Sequence, residues 1–198
     1  MKQFKIVLMG SGGVGKTSIT TQFTRQYFEE HYEPTIEEVH RKTYLLDGEQ
    51  CVIELMDTAG IDQFAQMRDV YIREGHGFIL VYSIIDKNSF EDVQIIHEQI
   101  IKGKCSDNVP IVLVGNKRDL EGTGREVDTA NGEELAARWP QCIFMETSAM
   151  DKGEVEDVFA KAVRQINNFE GIRRDRISAL HKEASKKKKG NTKKCSIM

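Results

Sequence analysis

Apolar residues fall in short dense runs, separated by longer stretches of helical period. The run Phe4 to Met9 predicts a buried first strand. A glycine-rich loop, Gly10 to Gly15, follows, and Thr17 to Gln26 then reads as a helix. Glu38 to Leu46 and Cys51 to Met56 flank Asp47-Gly48, two residues that tolerate positive φ, which predicts an antiparallel hairpin. Gly77 to Ser83, Val109 to Gly115 and Gln141 to Met145 read as three further strands. Helical patterns fill the gaps at Ser89 to Lys102, Thr129 to Trp139 and Val155 to Phe169, with Asn88-Ser89 as the start of the first. Such alternation predicts an α/β fold: a six-stranded, mostly parallel sheet with one antiparallel edge strand and helices on both faces. Ligands of such sheets bind beyond the carboxyl ends of the strands. No repeats occur, and the only low-complexity segment is Lys186 to Lys189. The composition predicts one domain over residues 1–170 and a flexible polybasic tail over 171–198.

Charge sharpens this division. From His181 onward seven Lys and one Glu give +6, so the rest of the chain must carry −9 to reach the net −3. An acidic body with a basic tail predicts an interaction tail. It argues against nucleic-acid binding, which needs a basic face. No apolar run approaches the roughly 20 residues of a membrane span, and no signal peptide is expected. The spacing of Cys51, Cys105, Cys142 and Cys195 fits neither a zinc site nor a disulfide framework, which favours a reducing setting.

Gly10-Ser-Gly12-Gly13-Val14-Gly15-Lys16-Thr17 matches G-x-x-x-x-G-K-[ST] between a strand and a helix. Such a loop curls backbone N–H groups around phosphate oxygens, and the helix N-terminus, Ser18 included, points at the same place. Lys16 is suited to bridge β- and γ-phosphates. The Thr17 hydroxyl suits Mg²⁺, a hard cation that prefers oxygen. Asn116-Lys117-Arg118-Asp119 lies at the carboxyl end of a predicted strand. A carboxylate there accepts from both N1–H and the exocyclic amine of guanine, a donor pair that adenine lacks.

Gly10–Thr17, Pro34–Glu37, Asp57–Gly60, Asn116–Asp119 and Glu146–Ala149 resemble, in order, the five motifs of Ras-family small GTPases. The resemblance covers about residues 1–170 and implies a P-loop NTPase, the G domain. Phe64 and the run Gly77 to Ile84 look closest to the Rap branch. The resemblance implies that Phe28 stacks on guanine, that Lys117 packs over its other side, that the Ala149 N–H meets the guanine carbonyl and that Ser148 braces this loop. It implies that Thr35 completes the Mg²⁺ shell, that Asp57 acts on the metal through water, and that the Gly60 N–H touches the γ-phosphate. GTP/GDP and Mg²⁺ are the implied cofactors. Exchange factors, a Rap-type activating protein and effectors with Ras-binding domains are the implied partners of a monomer. Met150 departs from the family's usual lysine and removes a cation from beside the base.

A second departure touches catalysis. Ras places a glutamine after Asp-Thr-Ala-Gly to orient the attacking water; this chain has Ile61. Two classes follow: a GTP hydrolase with very slow turnover that takes an amide from its activator, or a non-enzymatic GTP-bound adaptor. Thr35 and Gly60 would order their segments only while the γ-phosphate is present. Tyr32, Ile36, Glu37, Glu38 and Val39 form the expected effector face at an edge strand. Glu38 and Val39 differ from the residues usual in Ras and Rap. Cys195-Ser-Ile-Met198 fits C-a-a-X with a farnesyl preference. One lipid anchors marginally, so Lys186–Lys189, Lys193 and Lys194 supply the second, anionic-lipid signal. The lysines alone would also fit a nuclear-localisation patch. The expected location is the cytoplasmic face of membranes, the plasma membrane first.

Overall fold

The structure, a computed structural model, describes residues 1–28, 38–57 and 65–191, with side chains described except in 65–67 and 173–191. Strand β1 (Lys2–Met9) leads into helix α1 (Lys16–Arg25). The hairpin β2 (Glu38–Leu46) and β3 (Glu49–Asp57) follows. Asp47 and Gly48 both take positive φ, 51° and 82°, as the two-residue turn requires. Next come α2 (Ala65–Glu74), β4 (Gly77–Ser83) and α3 (Lys87–Lys104). They lead to β5 (Ile111–Asn116), a 3₁₀ turn over Arg118–Leu120, α4 (Glu121–Gly124) and α5 (Thr129–Arg138). Strand β6 (Cys142–Thr147) and α6 (Lys152–Asn191) complete the order.

The six strands run β2-β3-β1-β4-β5-β6. Only the β2–β3 pair is antiparallel, so β2 is the antiparallel edge that the sequence predicts. Two apolar clusters cover the two faces of the sheet. Phe23, Phe159, Val163 and Ile166 cover one; Ile72, Val93, Ile96 and Leu135 cover the other. β4 is buried along its whole length, as an inner parallel strand must be.

Register aligns the carboxyl ends. Leu8 pairs with Asp57, Ser83 with Asn116, and Asn116 with Thr147. The carboxyl ends of β1, β3, β5 and β6 therefore lie on one edge, which brings Gly10–Thr17, Asp57, Asn116–Asp119 and Glu146–Ala149 together; Pro34–Glu37 and Thr58–Gly60 lie outside the described residues.

Five elements differ from the sequence reading. Helix α3 starts at Lys87, capped by Asp86, whose carboxylate accepts from the Ser89 N–H; Asn88-Ser89 lies one residue inside the helix. Helix α2 and the turns at Arg118–Gly124 are absent from the sequence reading: the turns are short and nearly all polar, and the apolar residues of α2 bunch at Val70-Tyr71-Ile72 instead of recurring at helical spacing. Helix α6 is expected to end near Phe169, yet its backbone is helical to Asn191. Ala, Leu, Glu, Arg and Lys dominate there, and Gly171 costs only about 1 kcal/mol, so propensity permits the extension.

Candidate functional site

The phosphate loop is held open by glycine. Gly13 and Gly15 have φ of 73° and 98°, and Gly15 is the N-cap of α1. A Cβ on Gly15 would lie 2.3 Å from Asn116 Nδ2, and one on Gly10 would lie 2.1 Å from the Val81 carbonyl oxygen. Val14 is buried and anchors the loop, while Gly12 and Gly13 are exposed. The loop thus presents its backbone outward from a fixed base.

Lys16 is only 6% exposed. Its Nζ donates to the carbonyls of Gly10 at 2.9 Å and Ser11 at 2.8 Å. Burial pulls its ammonium down to about 8, against the opposing charge of Asp57. The cation is thus wrapped inside the loop that should receive phosphate. Thr17 is exposed and Ser18 half-buried at the start of α1.

Asp57 ends β3 at 1% exposure. Among the described residues neither carboxylate oxygen makes a hydrogen bond of ordinary geometry. Burial pushes its carboxyl above the usual range, against the pull of the Thr17 hydroxyl and then the Lys16 ammonium. A buried carboxylate without hydrogen bonds is costly. A hydrated divalent cation beside the Thr17 hydroxyl would satisfy it, so the donor set fits Mg²⁺.

The loops after β5 and β6, which the sequence assigns to the base, are cross-braced. Asn116 Nδ2 donates to the Val14 carbonyl at 2.8 Å, tying β5 to the phosphate loop. Asn116 Oδ1 accepts from the Ala149 N–H at 3.1 Å. This is the same N–H that the resemblance assigns to the guanine carbonyl, so an arriving base must share or displace that bond. Ser148 Oγ donates to Asp119 Oδ1 at 2.6 Å and accepts from the Met150 N–H at 3.2 Å. Asp119 is exposed rather than buried, and Lys117 is half-buried with φ of 69°. Phe28 is half-buried and packs against the core cluster that includes Val14 and Ala149.

Other expected residues divide by place. Glu38 and Val39 begin β2 and are exposed, and Glu38 pairs with His40 at 3.0 Å. Tyr32, Thr35, Ile36, Glu37, Gly60, Ile61 and Cys195 lie outside the described residues. Sequence reasoning missed three supports. Asp92 accepts from Ser11 Oγ at 2.6 Å, pinning the phosphate loop to α3. Arg125 grips Glu146 through two bonds of 2.7 and 2.9 Å. Glu154 reaches the Ser148 N–H at 2.8 Å.

A glycine loop over a buried lysine, an unsatisfied carboxylate at the end of β3 and a braced aspartate after β5 define a nucleotide-binding G domain. A model of the Ras family matches residues 5–168, and the chain belongs to that family. Ras-family small GTPases are switches that bind GTP and GDP, typically with Mg²⁺, and hydrolyse GTP. Members generally interact with exchange factors, activating proteins and effectors.

Proposed function

We propose that this chain is a Rap-like, membrane-tethered switch whose own GTP hydrolysis is very slow. The observation that carries the reading is Ile61, an apolar side chain directly after Asp57-Thr58-Ala59-Gly60. It offers no donor or acceptor to hold a water in line with the γ-phosphate. Lys16 and the loop N–H groups would still stabilise charge on the transferring group. Thr17 and Thr35 would ligate Mg²⁺, with Asp57 holding one of its waters. Phe28, Lys117, Asp119, Ser148 and Ala149 would hold the guanine, and Gly12 leaves space for a residue supplied by an activating protein. Phe64 and the run Gly77 to Ile84 support the Rap assignment, and Rap proteins also lack the glutamine and accept an amide from their activator.

Intrinsic turnover should fall below the roughly 10⁻⁴ s⁻¹ of Ras. Single-turnover phosphate release compares wild type with Ile61→Gln at fixed Mg²⁺. The variant should be several-fold faster while nucleotide affinity stays unchanged. A variant no faster than wild type would sink the reading.

The tail carries the location. Six lysines from Lys186 to Lys194 precede Cys195-Ser196-Ile197-Met198. A farnesyl group and this basic run together supply the two signals that stable anchoring needs. Cys195→Ser should move the protein from the membrane to the soluble fraction with GTP binding intact; a mutant that stays with membranes rejects tethering through Cys195. Effectors would add to the β2 edge through Tyr32, Ile36, Glu37, Glu38 and Val39. Their capture by the GTP form and not the GDP form is the corresponding check.

A further inference from the structure

We propose that Glu154 is a positioning residue for base selection: it pins the two base-reading loops together so that Asp119 faces guanine. The proposal rests on the reading of Asp119 as the base selector. Glu154 lies in the first turn of α6 and in none of the five motifs. Its Oε2 accepts from the Ser148 N–H at 2.8 Å, and its Oε1 pairs with the Arg118 guanidinium. Arg118 immediately precedes Asp119, and Ser148 Oγ donates to Asp119 Oδ1 at 2.6 Å. The contacts close a ring: Glu154 to Ser148, Ser148 to Asp119, and Asp119 through one peptide to Arg118 and back to Glu154.

The ring has a rigid anchor. Asp151 Oδ1 accepts from the N–H groups of Gly153 at 2.8 Å and Glu154 at 3.1 Å, capping α6. Val155, Val158 and Phe159 in the next turns are fully buried. The Glu154 side chain therefore works from backbone fixed to the core. Its two contacts are unequal. The pair with Arg118 is 47% exposed on the arginine side and contributes little. The bond to the Ser148 N–H is charge-assisted, and Ser148 is 6% exposed, so that contact dominates. Met150 adds weight to it: no lysine stands after Ala149 to hold the base from this loop, so alignment falls to the braces.

Guanine offers Asp119 two donors, N1–H and the exocyclic amine; hypoxanthine offers only N1–H. A loop that drifts loses the second contact first. The test measures release of GDP and of inosine diphosphate from Mg²⁺-loaded full-length protein, with thermal unfolding alongside. Wild type should hold GDP longer than inosine diphosphate. Glu154→Ala should release GDP roughly tenfold faster, and inosine diphosphate by a smaller factor, because a backbone donor loses its partner. Glu154→Gln keeps an acceptor oxygen and should stay within about twofold of wild type. Unchanged GDP release in Glu154→Ala overturns the proposal. So does equal acceleration of both nucleotides, the signature of a merely loosened fold. A wild type that does not distinguish the two nucleotides overturns the reading of Asp119 together with it.

Discussion

Gly15 shows how much one hydrogen atom in place of a methyl decides. Its φ of 98° is left-handed, and its missing Cβ leaves the space that Asn116 Nδ2 fills while donating to Val14. Gly13 has a similar φ of 73° but would bring a Cβ within 4 Å of nothing. The pair separates strain from clash. Gly13→Ala should cost only the left-handed strain, about 1–2 kcal/mol. Gly15→Ala adds a collision that drives Asn116 off both the phosphate loop and Ala149. Its melting temperature should fall several degrees further, at about 2–4 °C per kcal/mol for a domain of this size, and its nucleotide release should be the faster of the two. Equal losses in the two variants would mean the Asn116 bridge is unimportant. The glycines, Lys16, Thr17 and Asp119 were legible because their chemistry is written in contiguous motifs. Glu154, Arg125 and Asp92 were not. Glu154 lies six residues from Ser148 but 36 from Arg118, and Arg125 and Asp92 lie 21 and 81 residues from Glu146 and Ser11, so no contiguous motif announces them.

Among the elements, α3 shows what packing adds. His97 stacks on Trp139, the residue that caps α5, with centroids 3.9 Å apart and rings 1° from parallel. Burial pulls the His97 imidazole below its ordinary value, against Glu98 and Asp107, and its Nε2 is buried with no hydrogen bond among the described residues. A lowered histidine has no effect on stability while both folded and unfolded forms are neutral. As pH falls through about 6.5 the unfolded chain takes up the proton first, so stability drops from there down to the folded value. His97→Phe keeps a ring over Trp139 and removes the proton. Urea unfolding across this range should show a flatter acid limb in the variant; matching slopes would place the titration elsewhere, with His76, also lowered by burial, the next residue to change. Strands were read to within a few residues because buried parallel strands are nearly all apolar. Helix α2 was not, since it is held from outside. Ile72 is buried, Arg68 Nη1 reaches Gln99 at 3.0 Å, and Lys104 Nζ donates to the carbonyls of Arg73 at 2.9 Å and Gly75 at 2.6 Å. A helix held by its neighbours leaves little periodic signature of its own.

At the scale of the molecule, the site is a store of unmet electrostatics. Asp57 is buried with no hydrogen bond of ordinary geometry among the described residues, and Lys16 is buried against backbone carbonyls, both on the edge where the carboxyl ends of the strands align. Each is harder to charge folded than unfolded, as the raised Asp57 and the lowered Lys16 record. For Asp57 the sign is definite. The unfolded carboxyl ionises first as pH rises, so the nucleotide-free protein loses stability through the interval up to the folded value and carries the full cost above it. Nucleotide with Mg²⁺ would reverse this, the metal meeting Asp57 and the phosphates meeting Lys16 as proposed above. At a thousandfold excess over Kd the gain is about 4 kcal/mol, or roughly 8–16 °C in melting temperature. Asp57→Asn separates the two contributions. Without ligand it should melt no lower than wild type, since a neutral amide replaces a buried charge in the same volume. With saturating GDP, wild type should lose much of its gain when EDTA removes the metal, whereas the variant should hardly respond. A variant that melts well below wild type without ligand would mean the carboxylate is satisfied by some group of the protein. A variant that retains the full EDTA-sensitive increment would mean the metal is held without it.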